Sequence, residues 1–319
     1  MAIPESRRLD FTEIPVIDLA RLVAGKPDQD ADHSLGRACR DIGFAYVENH
    51  GVAAQLIESL LDESMRFFAR PEQDKSPLVV DERLRGLLPM HYRSYEGEPI
   101  AATQHHEGYW IGRDRPLNPD NPLDGPNRWP PDDDAFRTAA DAYMLAVRRL
   151  SIALQRAFSR SLGLHESFFD DLFRRSTSSL LINHYPPQDT PQAVTDIGIT
   201  PHTDDGGFTI LWQDDNGGLE IESKNGEWVG APPIPGTFVI NLGKVMQIWT
   251  GGEFSATPHR VINRSGTHRY SLPFFVNPRW DVPVRPLLGN AEADPEAPLY
   301  GVYQRDNWRR TFPIARIPD

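Results

Sequence analysis

The sequence predicts a mainly β protein with flanking helices, its strands closed into a sandwich, a barrel or a jelly roll. After residue 176, eight short apolar segments follow at close intervals, separated by turn signals such as "DDGG" and "DNGG". Before them, Phe136, Ala140, Tyr143, Val147, Leu150, Leu154 and Phe158 form a helical stripe. The first 70 residues alternate strand and helix patterns.

Taken in order, "IPVIDL" (14–19) reads as a short strand. "ADHSLGRACRDIG" (31–43) has helical spacing and stops at Gly43. "FAYVENHG" (44–51) alternates as a strand does. Residues 53–71 are an amphipathic helix with Leu56, Leu60, Ser64, Phe67 and Phe68 on one side, ended by Pro71. Between 76 and 134 proline and glycine become dense, and "RPLNPDNPLDGPNRWPPDDD" (115–134) excludes regular structure, so the segment reads as a long surface excursion. Helical periodicity returns over 135–163 and 165–174. The strand series follows: "SLLINHYP", "GITPHTD", "FTILWQD", "LEIES", "EWVGA", "TFVINLG", "HRVIN" and "YSLPFFV". "YGVYQRDNWRRTF" (300–312) is a candidate closing helix.

The chain has 319 residues, 39% of them apolar, enough to bury a sizeable core. Its formal net charge of −12 repels phosphate backbones and anionic membrane surfaces, so neither nucleic acid nor membrane is an expected partner. A local basic pocket for a small anion remains compatible with that charge. Cys39 is the single cysteine, which rules out an intrachain disulfide and a cysteine metal cage, and its helical setting suits a small buried residue. The N-terminus lacks the apolar stretch of a signal peptide and no apolar run spans a bilayer, so the expected compartment is the cytoplasm.

The chemistry concentrates in "PHTDDGGFTILWQDD" (201–215). Side chains two apart on a strand share a face, so His202 and Asp204 point the same way. An imidazole and a carboxylate side by side suit a divalent first-row metal, and two histidines with one carboxylate around an open face is the arrangement of non-haem Fe(II) oxygenases. The competing reading is a turn-forming aspartate beside a hydrogen-bonded histidine, and "HHE" (105–107) offers a rival spacing. A second histidine, His259 in "TPHRVIN", opens another strand. Arg269 and Ser271 share a face of "HRYSLPFFV", where a planar guanidinium fork and a hydroxyl suit a carboxylate. The alternative for Arg269 is a surface ion pair, which its place at the head of a long apolar strand argues against.

Together, "PHTDDGGFTILWQDD", "GGLEI", "EWVGAPPIPGTFVINLG", "TPHRVIN" and "RYSLPFFV" resemble the C-terminal half of the isopenicillin N synthase-like 2-oxoglutarate/Fe(II)-dependent dioxygenases. "IPVIDL", "GFAYVENHG", "FFARPEQDK" and "HHEGYWIG" resemble the family's leading region, so the likeness covers about residues 14–280. The resemblance implies a distorted double-stranded β-helix (a jelly roll) and, along the chain, an N-terminal region (11–130), scaffold helices (131–175), the jelly-roll core (176–285) and a C-terminal tail (286–319), all in one compact unit. It implies that His202, Asp204 and His259 ligate Fe(II), that Arg269 and Ser271 hold the distal carboxylate of 2-oxoglutarate, and that Asn183 and Tyr185 of "LLINHYPP" help position this cosubstrate. Lys244 stands where the family usually has Asp after "VINLG", a departure expected to alter a turn near the site and not the ligands.

The activity so implied is oxidation, most often hydroxylation, of a small-molecule substrate by Fe(II), 2-oxoglutarate and O2, releasing succinate and CO2, by a monomer or small homo-oligomer. Two alternatives stand beside it: a family oxidase that uses iron and O2 without 2-oxoglutarate, and a non-catalytic binding protein on the same fold. In this family the segment at 86–112 often lies near the barrel mouth. Tyr92, Arg93, His105, Glu107 and Tyr109 are therefore the substrate candidates, with Arg93 or His105 suited to a carboxylate and Glu107 to an amine. Trp249, Phe275 and Trp280 are read as core before pocket.

Overall fold

The computed structural model describes residues 7–8, 14–90, 104–118, 121, 123–131, 133–188, 197–289 and 294–317. The substrate candidates Tyr92 and Arg93 lie outside them. In chain order the elements are β1 (Arg7–Arg8), β2 (Val16–Asp18), α1 (Ala20–Val23), α2 (Gln29–Asp41), β3 (Phe44–Glu48), α3 (Ala54–Phe68), α4 (Glu72–Lys75), β4 (Gly86–Leu88) and β5 (Glu107–Ile111). Then come α5 (Asp134–Ser161), α6 (Asp170–Phe173), β6 (Ser179–Tyr185), β7 (Ile199–His202), β8 (Phe208–Gln213), β9 (Leu219–Glu222), β10 (Trp228–Gly230) and β11 (Phe238–Leu242). The chain closes with α7 (Lys244–Trp249), β12 (His259–Val261), β13 (Arg269–Val276) and α8 (Tyr300–Thr311).

The strands form two sheets. The larger has the order β2-β3-β11-β8-β13-β6-β5-β4, and the smaller β1-β10-β9-β12-β7. Facing each other, they make the two walls of a double-stranded β-helix. Phe44, Tyr46, Tyr185, Ile199, Leu219, Ile221, Val239 and Val261 fill the space between them. The larger core lies on the other face of the eight-stranded sheet, against the helices. There α5 buries every residue of the predicted stripe, and α3 packs alongside it through Phe67, whose ring stacks on Phe136 at 5.4 Å.

Local chemistry sets the element ends. Asp28 caps α2 by accepting from the Ala31 N–H, and Asp133 caps α5 by accepting from Phe136. Gly43 follows α2 at φ +74°, and a Cβ there would sit 2.3 Å from the Ser255 carbonyl oxygen, so only glycine ends this helix and lets β3 begin. Cys39 is buried in α2 as expected. Trp249 is core, stacked on Phe169 at 6.2 Å.

Three expectations need correction. The segment 76–134 is not only a surface excursion: β4 and β5 within it extend the larger sheet beyond β6. All five residues of β5 are buried, so the strand has no polar alternation to betray it. Helix over 165–174 shrinks to the single turn of α6, because Gly163 at φ +71° ends α5 and the chain turns before resuming. The six-residue α7 was not expected, being too short to show a period.

Candidate active site

β7 and β12 are antiparallel neighbours, and their register sets His259 opposite His202. The imidazole centroids lie 4.3 Å apart. β7 ends at His202, so Asp204 projects from the turn just beyond it. Its Oδ1 lies 3.8 Å from Nε2 of His202 and 3.8 Å from Nε2 of His259. One ligand atom from each residue falls within 4.8 Å of the other two.

Hydrogen bonds decide which atoms face inward. Nδ1 of His202 lies 2.9 Å from the Thr200 carbonyl oxygen, and Nδ1 of His259 lies 3.2 Å from that of Thr257. A carbonyl only accepts, so each Nδ1 carries a hydrogen and each ring turns its Nε2 toward Asp204. Oδ2 of Asp204 accepts from the Thr209 hydroxyl and, at 2.7 Å, from the Asn241 amide, leaving Oδ1 to the histidines. Burial opposes ionisation of Asp204, but His259, His202 and those two donors outweigh it and hold the carboxyl below its ordinary value.

This donor set fits a divalent metal: two imidazole lone pairs and a carboxylate oxygen converge, and every other polar atom of the three side chains that could turn away has a reason to do so. Thr209 and Asn241 were not singled out from sequence. Asn241 shows only as a polar residue inside the apolar "FVINL", a signal that a buried partner must exist.

The facing wall carries the other predicted residues. Arg269 pairs in register with Tyr185, and Ser271 with Asn183. The Asn183 amide donates to the Ser271 hydroxyl at 3.4 Å. The Arg269 guanidinium carbon sits 4.6 Å from the centre of the Tyr185 ring. Arg269 is wholly buried; Nε donates to the Gly217 carbonyl and Nη2 to Gln213 Oε1 at 3.3 Å. Nη1 has no partner among the described residues, and no carboxylate there lies within ion-pair reach of Arg269. A buried cation of this kind calls for an anion. A cavity of about 40 Å³ brings Arg269, Ser271, Asn183 and Tyr185 together with His202, Asp204 and His259.

The substrate candidates fare differently. His105 lies half-buried just before β5, its backbone N–H donating to the Ile197 carbonyl. Glu107 and Tyr109 are placed on the reverse face of the sheet, which corrects their expected role. Glu107 pairs with Lys75 at 2.8 Å and His184 at 2.9 Å, and the Tyr109 hydroxyl donates to the Arg128 carbonyl at 2.6 Å. Strand alternation sends Gly108 and Trp110, not these two, toward the space between the sheets. Lys244 opens α7; its backbone N–H donates to the Asp204 carbonyl at 2.8 Å and its ammonium pairs with Asp205 at 3.2 Å.

Comparison with known proteins agrees with this geometry. Residues 176–278 match the 2OG-Fe(II) oxygenase superfamily model, and residues 14–132 match that of the non-haem dioxygenase N-terminal region named for morphine synthesis. The homoarginine-6-hydroxylase 2-ODD-233 of Oryza sativa subsp. japonica is 33% identical, over 87% of this chain and 89% of its own. The clavatol oxidase claD of Penicillium crustosum is 32% identical, over 89% and 91%. Among solved structures, a full-length Neurospora crassa protein in complex with alpha-KG superposes with a TM-score of 0.80 at 25% identity, covering 93% of this chain and 95% of its own. JOX2 in complex with 2OG, Fe and JA gives a TM-score of 0.79 at 29% identity, covering 98% and 88%. Likeness on this scale, along nearly the whole chain and in the same double-stranded β-helix, places the protein in the 2-oxoglutarate/Fe(II)-dependent oxygenase superfamily, as an oxidoreductase that uses Fe(II), 2-oxoglutarate and O2 on a small molecule.

Proposed function

We propose that His202, Asp204 and His259 hold one Fe(II), that Arg269 and Ser271 hold the distal carboxylate of 2-oxoglutarate, and that the outcome is hydroxylation of a small-molecule metabolite. The observation that carries this reading is the spent Nδ1 of both histidines, which leaves two Nε2 lone pairs and Asp204 Oδ1 converging on one point. Bound there, Fe(II) with 2-oxoglutarate and O2 supplies the oxidising chemistry, and succinate and CO2 leave.

The chain's own residues orient and shield. Arg269 offers Nη1 from the opposite wall, with the Ser271 hydroxyl beside it on the same face of β13. Asn183 steadies Ser271, and the Tyr185 ring backs the guanidinium. Asn241 and Thr209 fix the Asp204 carboxylate, so the ligand oxygen is set before metal arrives. His105 remains a substrate candidate beside β5.

The four-part division at 131, 176 and 286 reads as one folding unit, since β4 and β5 of the N-terminal part pair into the core sheet. We take the chain to act as a monomer or small homo-oligomer, and a cytoplasmic setting suits its one buried free thiol. Among the described residues no helix is long and apolar enough to cross a membrane.

The test is anaerobic addition of Fe(II) and 2-oxoglutarate to the metal-free chain, followed by O2. A weak visible charge-transfer band, then succinate, is the expected result. Arg269→Ala should raise the 2-oxoglutarate needed for half-saturation by about 10–100-fold with Fe(II) binding unchanged. Equal 2-oxoglutarate affinity in the variant would remove Arg269 from the role.

A further inference from the structure

A second cavity adjoins the triad and shares His202, Asp204 and Phe275 with the cavity that reaches Arg269. One side of it is aromatic and comes from three distant parts of the chain: Trp110 on β5, Phe275 on β13, Trp308 on α8 and Phe312 just after it. Trp110 stacks on Phe275 at 5.5 Å with 16° between the planes, and meets Trp308 and Phe312 edge-on at 5.8 Å and 5.5 Å. These are the two arrangements that aromatic pairs prefer, so the four rings hold one another in a fixed apolar wall.

The polar groups in the same cavity limit the charge of what enters. Among the described residues no lysine or arginine lines it, while Asp204 and Asp205 do. An anion entering it would therefore find no cation in that lining to meet it. A cation fares little better: Asp205 is taken by Lys244, and Asp204 faces the histidines and their metal. What remains is hydrogen bonding, for which Thr203, Asn277, Thr311 and Gln304 line the cavity. Gln304 Oε1 accepts from the Tyr300 hydroxyl at 2.7 Å, which leaves the Gln304 amino group as a donor.

We infer that this cavity is the substrate subsite and that it selects an uncharged, flat aromatic ring carrying a hydrogen-bond acceptor for Gln304. The inference rests on the triad being the metal centre, and it adds the chemical class of the substrate. Residues of α8 and its C-terminal end make half of the aromatic wall, so the closing helix takes part in selectivity.

Three isosteric planar probes separate the possibilities: benzamide, benzoate and benzamidinium. Each is titrated into the full chain loaded anaerobically with Fe(II) and 2-oxoglutarate, following the visible band and, in parallel, tryptophan fluorescence. Benzamide should bind at least about tenfold more tightly than either charged probe. Trp308→Ala should weaken benzamide by about tenfold and leave the band itself intact; Phe312→Leu serves the same purpose if the first variant does not fold. Gln304→Glu should turn the preference toward benzamidinium. Tighter binding of benzoate or benzamidinium to the unaltered chain, or no binding of any probe, overturns the inference. Absence of the band with Fe(II) and 2-oxoglutarate alone overturns the metal-centre reading instead, and the fluorescence titration of the metal-free chain then judges the aromatic subsite by itself.

Discussion

The Asn241 amide donates to Asp204 on the oxygen that the histidines do not face, at 2.7 Å, and both groups are buried. β11, which carries Asn241, pairs with β8, which carries Thr209, and the two side chains grip one carboxylate oxygen from neighbouring strands. Asn241→Ala should lower Fe(II) affinity by about 10–100-fold while the chain stays folded, because the partner orients a ligand without being one. Isothermal titration of the metal-free variant with Fe(II) under anaerobic conditions measures this. Unchanged affinity would mean that Thr209 alone orients Asp204.

Gly243 packs against the backbone of the turn that carries Asp204. A Cβ there would lie 2.2 Å from the Gly206 carbonyl oxygen and 3.1 Å from that of Asp204. Both are backbone atoms of the turn that presents the ligand, and the Gly243 and Lys244 N–H groups hold that turn through the Gly207 and Asp204 carbonyls at 2.8 Å each. Gly243→Ala should cost about 1–3 kcal/mol of stability, since backbone must move to admit the methyl group. It should weaken Fe(II) as well, which separates it from an ordinary overpacking variant elsewhere in the core. Paired thermal melts, with and without metal, reveal both effects.

Much of this site can be read from sequence because strand alternation and residue type act locally. Arg269 and Ser271 two apart on one strand, or His202 just ahead of Asp204, need no partner to be recognised. What escapes is whatever the tertiary fold decides. β5 is buried on both faces, so "EGYWI" has no period, and the face on which Glu107 would lie could not be read from it. Thr209 sits in an apolar run that reads only as a buried strand. The aromatic wall joins β5, β13 and α8 across some two hundred residues of chain, and no local pattern announces that meeting.

Arg85 organises the proline-rich segment. It is nearly fully buried, and its guanidinium donates to the carbonyls of Arg83 at 2.7 Å, Leu84 at 3.3 Å and Leu123 at 2.8 Å. Gly112 admits it: a Cβ there would lie 2.2 Å from Arg85 Cζ. Arg85→Ala would strand three carbonyls and open a void, a loss of about 3 kcal/mol. Cleavage by a protease should then appear first between residues 112 and 128, before global unfolding. Limited proteolysis read by mass spectrometry locates the first cut, and a first cut elsewhere would refute the anchoring role.

Glu107, turned to the reverse face, sets a pH dependence. It is buried between Lys75 and His184, and His184 Nε2 continues the chain to His268 Nδ1 at 2.8 Å. Burial pushes the Glu107 carboxyl up, but hydrogen bonds from His184 and Lys75 and the Lys75 charge bring it below its ordinary value of 4.5. A carboxyl depressed on folding adds stability that is complete above its unfolded value and fades as pH falls through the folded one. Glu107→Gln keeps the shape and removes the charge, leaving the buried Lys75 with only the exposed Glu72 carboxylate at 3.7 Å, at a cost of about 2–3 kcal/mol near neutrality. The gap between parent and variant should stay level above pH 4.5 and narrow below it, as the parent's own carboxyl takes up its proton. Urea denaturation of both proteins across this range tests the sign. A gap that widens in acid would mean that Glu107 is protonated in the folded chain and that Lys75 draws its compensation from elsewhere.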